Sequence, residues 1–189
     1  TTELGTQQWV ERILGNAGAE PLLILALVTG LMAVGRFFAG PVVHRLNITG
    51  VLLASSIISA ISIYLLSSAT GPIVYVYAVL FAVGVCYFWP NMISFVAEYI
   101  PKTGALGMSL MGGAGMFGAS IFQPIIGGWL DSERTAAQAR GLVGEAADLA
   151  AGQATLANIS LLPLFLIVAF TALFFFMKNK KPQHHAAAA

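Results

Sequence analysis

The sequence predicts an all-α integral membrane protein, a transmembrane helix bundle of five full spans preceded by a partial N-terminal helix. Three observations carry this reading. Of the 189 residues, 58% are hydrophobic and 9% charged, where a soluble domain carries roughly 25% charged residues. The apolar residues are gathered into runs long enough to cross a hydrocarbon core about 30 Å thick as helices. The charges are confined to the connections between these runs, so the net charge of +1 describes no binding surface, and a nucleic-acid partner is not expected.

Residues 1–20 contain Glu3, Gln7, Gln8, Trp9, Glu11 and Arg12 and cannot span a membrane alone, although Trp9, Ile13 and Leu14 form one apolar helical stripe. They read as an interfacial helix or the end of one. The bundle proper covers residues 21–178. Its first span, Leu22 to Val43, carries one charge, Arg36, close to one end, and a cation at that depth must snorkel or find a partner. His44, Arg45 and Asn47 form a polar hairpin before the second span, Val51 to Ala69, which ends at Thr70-Gly71-Pro72. The third, Ile73 to Ala97, contains Trp89-Pro90-Asn91. Proline there removes a backbone hydrogen bond, so a break near the middle is expected.

The fourth span, Gly104 to Leu130, is the most glycine-rich part of the chain. Ala105, Ser109 and Gly113 fall four apart, as do Gly115 and Ala119, giving strips along which another helix can approach closely. The span reads as a packing device, with a hinge as the alternative. Residues 131–155 are the one long polar connection, an alanine-rich segment whose mixed charges suggest a solvated surface helix broken at Gly141 and Gly144. The last span, Leu156 to Met177, carries Pro163 and ends at Lys178, Lys180 and Lys181. The tail, residues 179–189, closes on His184, His185 and four alanines and is set aside from fold reasoning.

Cations set the orientation. Arg36, Arg45, Lys102, Lys178, Lys180 and Lys181 fall on one side and Arg12, Arg134 and Arg140 on the other. The positive-inside rule makes the first side cytoplasmic. The expected location is a bacterial-type inner membrane, with the C-terminus in the cytoplasm and the 131–155 connection outside.

Gly35-Arg36-Phe37, then Gly40, then Val43-His44-Arg45-Leu46 resembles the signature loop of the major facilitator superfamily, of the form Gly-x-Leu-x-Asp-Arg-x-Gly. His44 stands where that loop has its acid and Asn47 where it has glycine. A second likeness, Gly40-Pro-Val-Val43-His44 against Gly127-Gly-Trp-Leu130-Asp131, lies at ends facing opposite sides of the membrane, as in the inverted three-helix repeats of such transporters. The resemblance implies the C-terminal six-helix half of a secondary active transporter, with the start of its first helix missing. It implies three partners: the lipid bilayer, the N-terminal half of the same transporter, and a small-molecule solute moved by alternating access. The family's cavity-lining helices bring Gln7, Gln8 and Trp9 into the candidate substrate wall.

No enzyme constellation is visible, because His44 lies at a turn and the other histidines in the tail, far from any serine or cysteine nucleophile. The single Cys86 excludes an intramolecular disulfide and reads as a small packing residue. No metal site, phosphate loop or cofactor is expected. The polar residues at membrane depth are the leads: Asn91 and Gln123, with Tyr87 and Trp89 beside Asn91. Each amide lines a cavity or makes a helix–helix hydrogen bond worth roughly 0.6 to 2 kcal/mol. With no arginine assigned to the cavity, the solute class expected is sugar-like or nucleoside-like. Glu3 is either a proton-coupling acid or an exposed helix-end charge. Arg36, His44, Arg45 and Glu98 are assigned to a cytoplasmic charge network, in which Glu98 replaces the acid missing at His44 by pairing with Arg36 or Arg45. The alternative function is a non-transporting membrane assembly protein that uses the fourth span as its interface.

Overall fold

The structure is a computed structural model that describes Thr2, Glu3, Thr6, Trp9 and residues 20–179, the side chains of residues 39–46 excepted. Gln7, Gln8, Lys180 and Lys181 thus lie outside the described residues, as do the side chains of His44 and Arg45. In order come α1 (Pro21–Phe37), α2 (Ala39–Leu66), α3 (Ile73–Val85), α4 (Phe88–Tyr99), a single 3-10 turn (Pro101–Thr103), α5 (Gly104–Ala139), α6 (Glu145–Ile159) and α7 (Leu161–Met177). Among the described residues there is no strand. The stretches long and apolar enough to cross a membrane are Asn47–Leu66, Ile73–Tyr99, Pro101–Ala139 and Glu145–Met177, with the shorter apolar helix Pro21–Phe37 beside them.

Prolines decide where these helices are interrupted. A proline has no N–H to give the carbonyl four residues earlier, and its ring crowds that carbonyl. Pro41, Pro90 and Pro163 stand four residues after Phe37, Cys86 and Ile159, and α1, α3 and α6 end at or beside those residues. The break expected in the third span is therefore present at Cys86–Tyr87, one turn before Pro90. Pro124 differs. Helix α5 runs through it without interruption, so Gln123 and Pro124 sit in a continuous helix.

Asn47 splits α2 with φ 59° and ψ 158°, a conformation that favours glycine. Asparagine is among the residues that tolerate positive φ best. This accounts for the glycine that the resembled signature carries at the same place.

The 131–155 connection is helical on both sides of a break at Gly141 and Gly144, as expected. Helix α5 continues to Ala139 and α6 begins at Glu145, so the turn itself occupies residues 140–144, with Gly141 at φ 87° and Gly144 at φ 60°. Alanine is the strongest helix former, and an alanine-rich segment that has left the apolar region can stay helical in water. At 36 residues, α5 is about 54 Å long, well beyond the ~30 Å hydrocarbon core. Arg134 clamps the two extensions by gripping Asp148 with both Nε (2.7 Å) and Nη2 (3.2 Å). About half of the Arg134 side chain remains open to solvent, so the clamp is worth at most about 1 kcal/mol.

Helix α2 sits at the centre, touching α3, α4, α6 and α7, while α1 packs on α3 and α5 on α6. Ile24, Val28 and Met32 form the buried stripe of α1, and Val74, Ala78, Phe81, Ala82 and Val85 that of α3. In α2 the buried line includes Ser55, Ser56, Ser59 and Ser62. Ser56 and Ser62 return their hydroxyls to the backbone carbonyls of Leu53 and Ser59, which lets small polar residues sit inside an apolar bundle. Small side chains bring the backbones together: a Cβ on Gly84 of α3 would lie 2.8 Å from the backbone N of Ser59.

Candidate functional site

The residues that come together at depth are Glu3, Arg36, Cys86, Tyr87 and Asn91. Pro90 deprives the Cys86 carbonyl of its helical donor, and the guanidinium of Arg36 takes that role, its Nε donating at 3.2 Å. Gly35 makes the approach possible, since a Cβ there would stand 3.1 Å from Cys86 Sγ. On the far side of the guanidinium, Nη2 donates to Glu3 Oε1 at 2.9 Å. Asn91 is 1% exposed and its Nδ2 donates to the Tyr87 carbonyl at 2.7 Å, supporting the first turn after the break.

Arg36 stands in the last turn of α1, close to one end as expected. The Cys86 carbonyl that it bonds lies at the middle of the 27-residue stretch Ile73–Tyr99. The pairing differs from the expectation. Arg36 holds Glu3, not Glu98, because Glu98 stands roughly 18 Å further along the span from Cys86. The Glu98–Arg45 alternative rests on a side chain outside the described residues.

A second polar contact joins the N-terminal segment to α5. Trp9 Nε1 donates to Gln123 Oε1 at 2.6 Å, and its ring lies over Gly127, where a Cβ would be 3.5 Å away. Gln123 thus makes an interhelical bond. Trp89 of α4 packs over Gly112 and Gly115 of α5, each placing a Cβ position 3.6 Å from the indole. These glycines work as packing surfaces, whereas Gly113 and Gly128 have nothing within 4 Å. Thr2 and Thr6 are buried, so this part of the N-terminal segment lies within the bundle rather than along its surface. The Thr6 hydroxyl has no hydrogen-bond partner among the described residues.

The site residues not recognised from sequence are Gly35 and the Cys86 carbonyl. The signal for the carbonyl was present, since a proline inside an apolar run identifies the backbone oxygen four residues earlier as one in need of a donor. No group of three or more metal-ligating side chains occurs among the described residues.

Apolar helices interrupted around a paired arginine define a polytopic membrane protein with an interior polar site. The chain belongs to the Major Facilitator Superfamily, whose family model matches residues 6–189. It is an integral membrane protein in contact with the lipid bilayer, of a secondary-transporter family whose members are generally not enzymes. No curated protein and no solved structure matches the chain.

Proposed function

We propose that this chain is the C-terminal half of a transporter that moves a small polar solute by alternating access, in a bacterial-type inner membrane. The observation that carries the reading is the meeting of two interrupted helices, α1 at Phe38 and α3 at Cys86–Tyr87, with Arg36 bonded to the Cys86 carbonyl between them. Discontinuous helices at the bilayer midplane are how such transporters expose backbone carbonyls and charged groups to a solute. Tyr87, Trp89, Trp9 and Gln123 form this half's share of the wall, and Gln7 and Gln8 join it by resemblance; Asn91, expected in the wall, is buried behind it with its amide on the Tyr87 carbonyl. The N-terminal half supplies the opposite wall and covers the open strip Ala105, Ser109 and Gly113 of α5. His44, Arg45 and Glu98 form the cytoplasmic charge network without Arg36.

Vesicles carrying the complete transporter, this chain with its preceding half, are expected to show saturable solute uptake, and vesicles with the isolated chain none. Uptake by the isolated chain would remove the half-transporter reading. The Lys102 turn is proposed to be cytoplasmic and the 140–144 turn external, from the cation bias. In a Cys86→Ser background, a cysteine at 140 is expected to react with an impermeant maleimide on intact cells, and one at 102 to stay unlabelled. The reverse pattern would invert the topology.

A further inference from the structure

We infer that the transported solute carries a carboxylate, which takes the place of Glu3 on Arg36. The inference rests on the transporter reading and narrows its substrate class. A sugar-like or nucleoside-like neutral solute was expected because no arginine had been assigned to the cavity; Arg36 reaches the break of the third span at the Cys86 carbonyl. A guanidinium keeps its charge under all physiological conditions and is matched in shape to a carboxylate. Among apolar helices it needs an anion in each conformation the protein adopts.

Glu3 is that anion in this structure, and its hold is partial. One carboxylate oxygen meets one Nη2 donor, while Nε is turned to the Cys86 carbonyl. A guanidinium offers five N–H donors, and among the described residues the Nη1 side meets no acceptor. The Arg36 side chain is 39% exposed and that of Glu3 only 15%, so the arginine is the open member of the pair. Glu3 thus acts as a tethered competitor, occupying the position the solute carboxylate would take.

Charge conservation then couples the exchange to a proton. A second carboxylate beside Glu3 would leave two anions on one cation in a poorly solvated place. The arriving carboxylate binds as Glu3 takes up a proton from the aqueous side and releases Nη2. Once the carboxylate departs, the proton leaves and Glu3 returns. Among the described side chains, the other titratable groups next to the pair are the Cys86 thiol and, beside it, the Tyr87 phenol, neither of them a cation. The Trp9–Gln123 pair offers polar contacts to the rest of the solute.

The test uses the purified complete transporter and acetate as probe, with acetamide as its neutral counterpart, read by the shift of the thermal unfolding midpoint. Glu3→Gln removes the competitor and is expected to bind acetate about tenfold tighter than the parent, the factor expected where the competent state is roughly a tenth of the population. The double variant Glu3→Gln/Arg36→Gln, which removes both charges together and leaves neither unpaired, is expected not to respond. Acetamide is expected to shift none of the three. The parent's affinity for acetate is expected to rise as pH falls over the range where acetate stays ionised, and that of Glu3→Gln to stay constant. Equal acetate responses in the single and double variants, or none in either, would overturn the inference even if solute uptake is saturable. Acetate binding that follows this pattern in a protein with no uptake would instead remove the transporter reading and leave the anion site standing.

Discussion

Replacing Pro90 with alanine is expected to stop transport while leaving the bundle as stable as the parent or more so. Alanine restores an N–H four residues after Cys86, so the α3–α4 break can close into a continuous helix. The Cys86 carbonyl then has a helical donor and Arg36 loses its 3.2 Å anchor. A hydrogen bond to a charged group is worth about 1.5–3 kcal/mol, which is roughly 10- to 150-fold in binding. Solute affinity is expected to fall by that factor while the unfolding midpoint in detergent holds or rises. A variant that transports normally with a continuous third span would show that the break has no part in the site.

Gly84→Ala is expected to have the opposite signature, a stability loss of about 1–3 kcal/mol from overpacking. The new Cβ would lie 2.7 Å from Ser59 Oγ and 2.8 Å from Ser59 N. A hydroxyl can rotate away, but a backbone nitrogen cannot, so α2 and α3 must separate along the line where the core is most closely packed. Alanine's better helix propensity returns only about 1 kcal/mol. The added variant Ser59→Ala is therefore expected not to rescue it, because the backbone contact persists. Denaturant unfolding in mixed micelles would measure both, and an unchanged midpoint for Gly84→Ala would show the two helices free to part at no cost.

The membrane class and the helical architecture were legible because each depends on a property of contiguous residues. A bilayer gives the backbone no hydrogen-bond partners, so an apolar run of sufficient length has to form a helix. The interruption of the third span was legible for a similar local reason, although it appears at Cys86 rather than at Pro90 itself. Asn47 is a further case: its positive φ explains a glycine in the resembled signature. The surface helix expected in the 131–155 connection is likewise broken at Gly141 and Gly144, because polarity and glycine mark the break locally.

The site was legible by residue type and not by pairing. Asn91, Gln123, Trp9, Glu3 and Arg36 could be picked out because polar groups at membrane depth are costly and each needs a reason. Their partners could not be read from the chain. Trp9 and Gln123 are separated by 114 positions and Arg36 and Glu3 by 33, and no local periodicity links such pairs. Hydropathy and covalent geometry, acting within one turn or one span, determined from sequence alone that the chain crosses a membrane as helices and that proline interrupts the third. Only the tertiary structure decided that Arg36 meets that break at Cys86 and that Glu3, not Glu98, balances its charge, because the energy of a partly desolvated ion depends on which distant groups the packing of whole helices brings within about 3 Å of it.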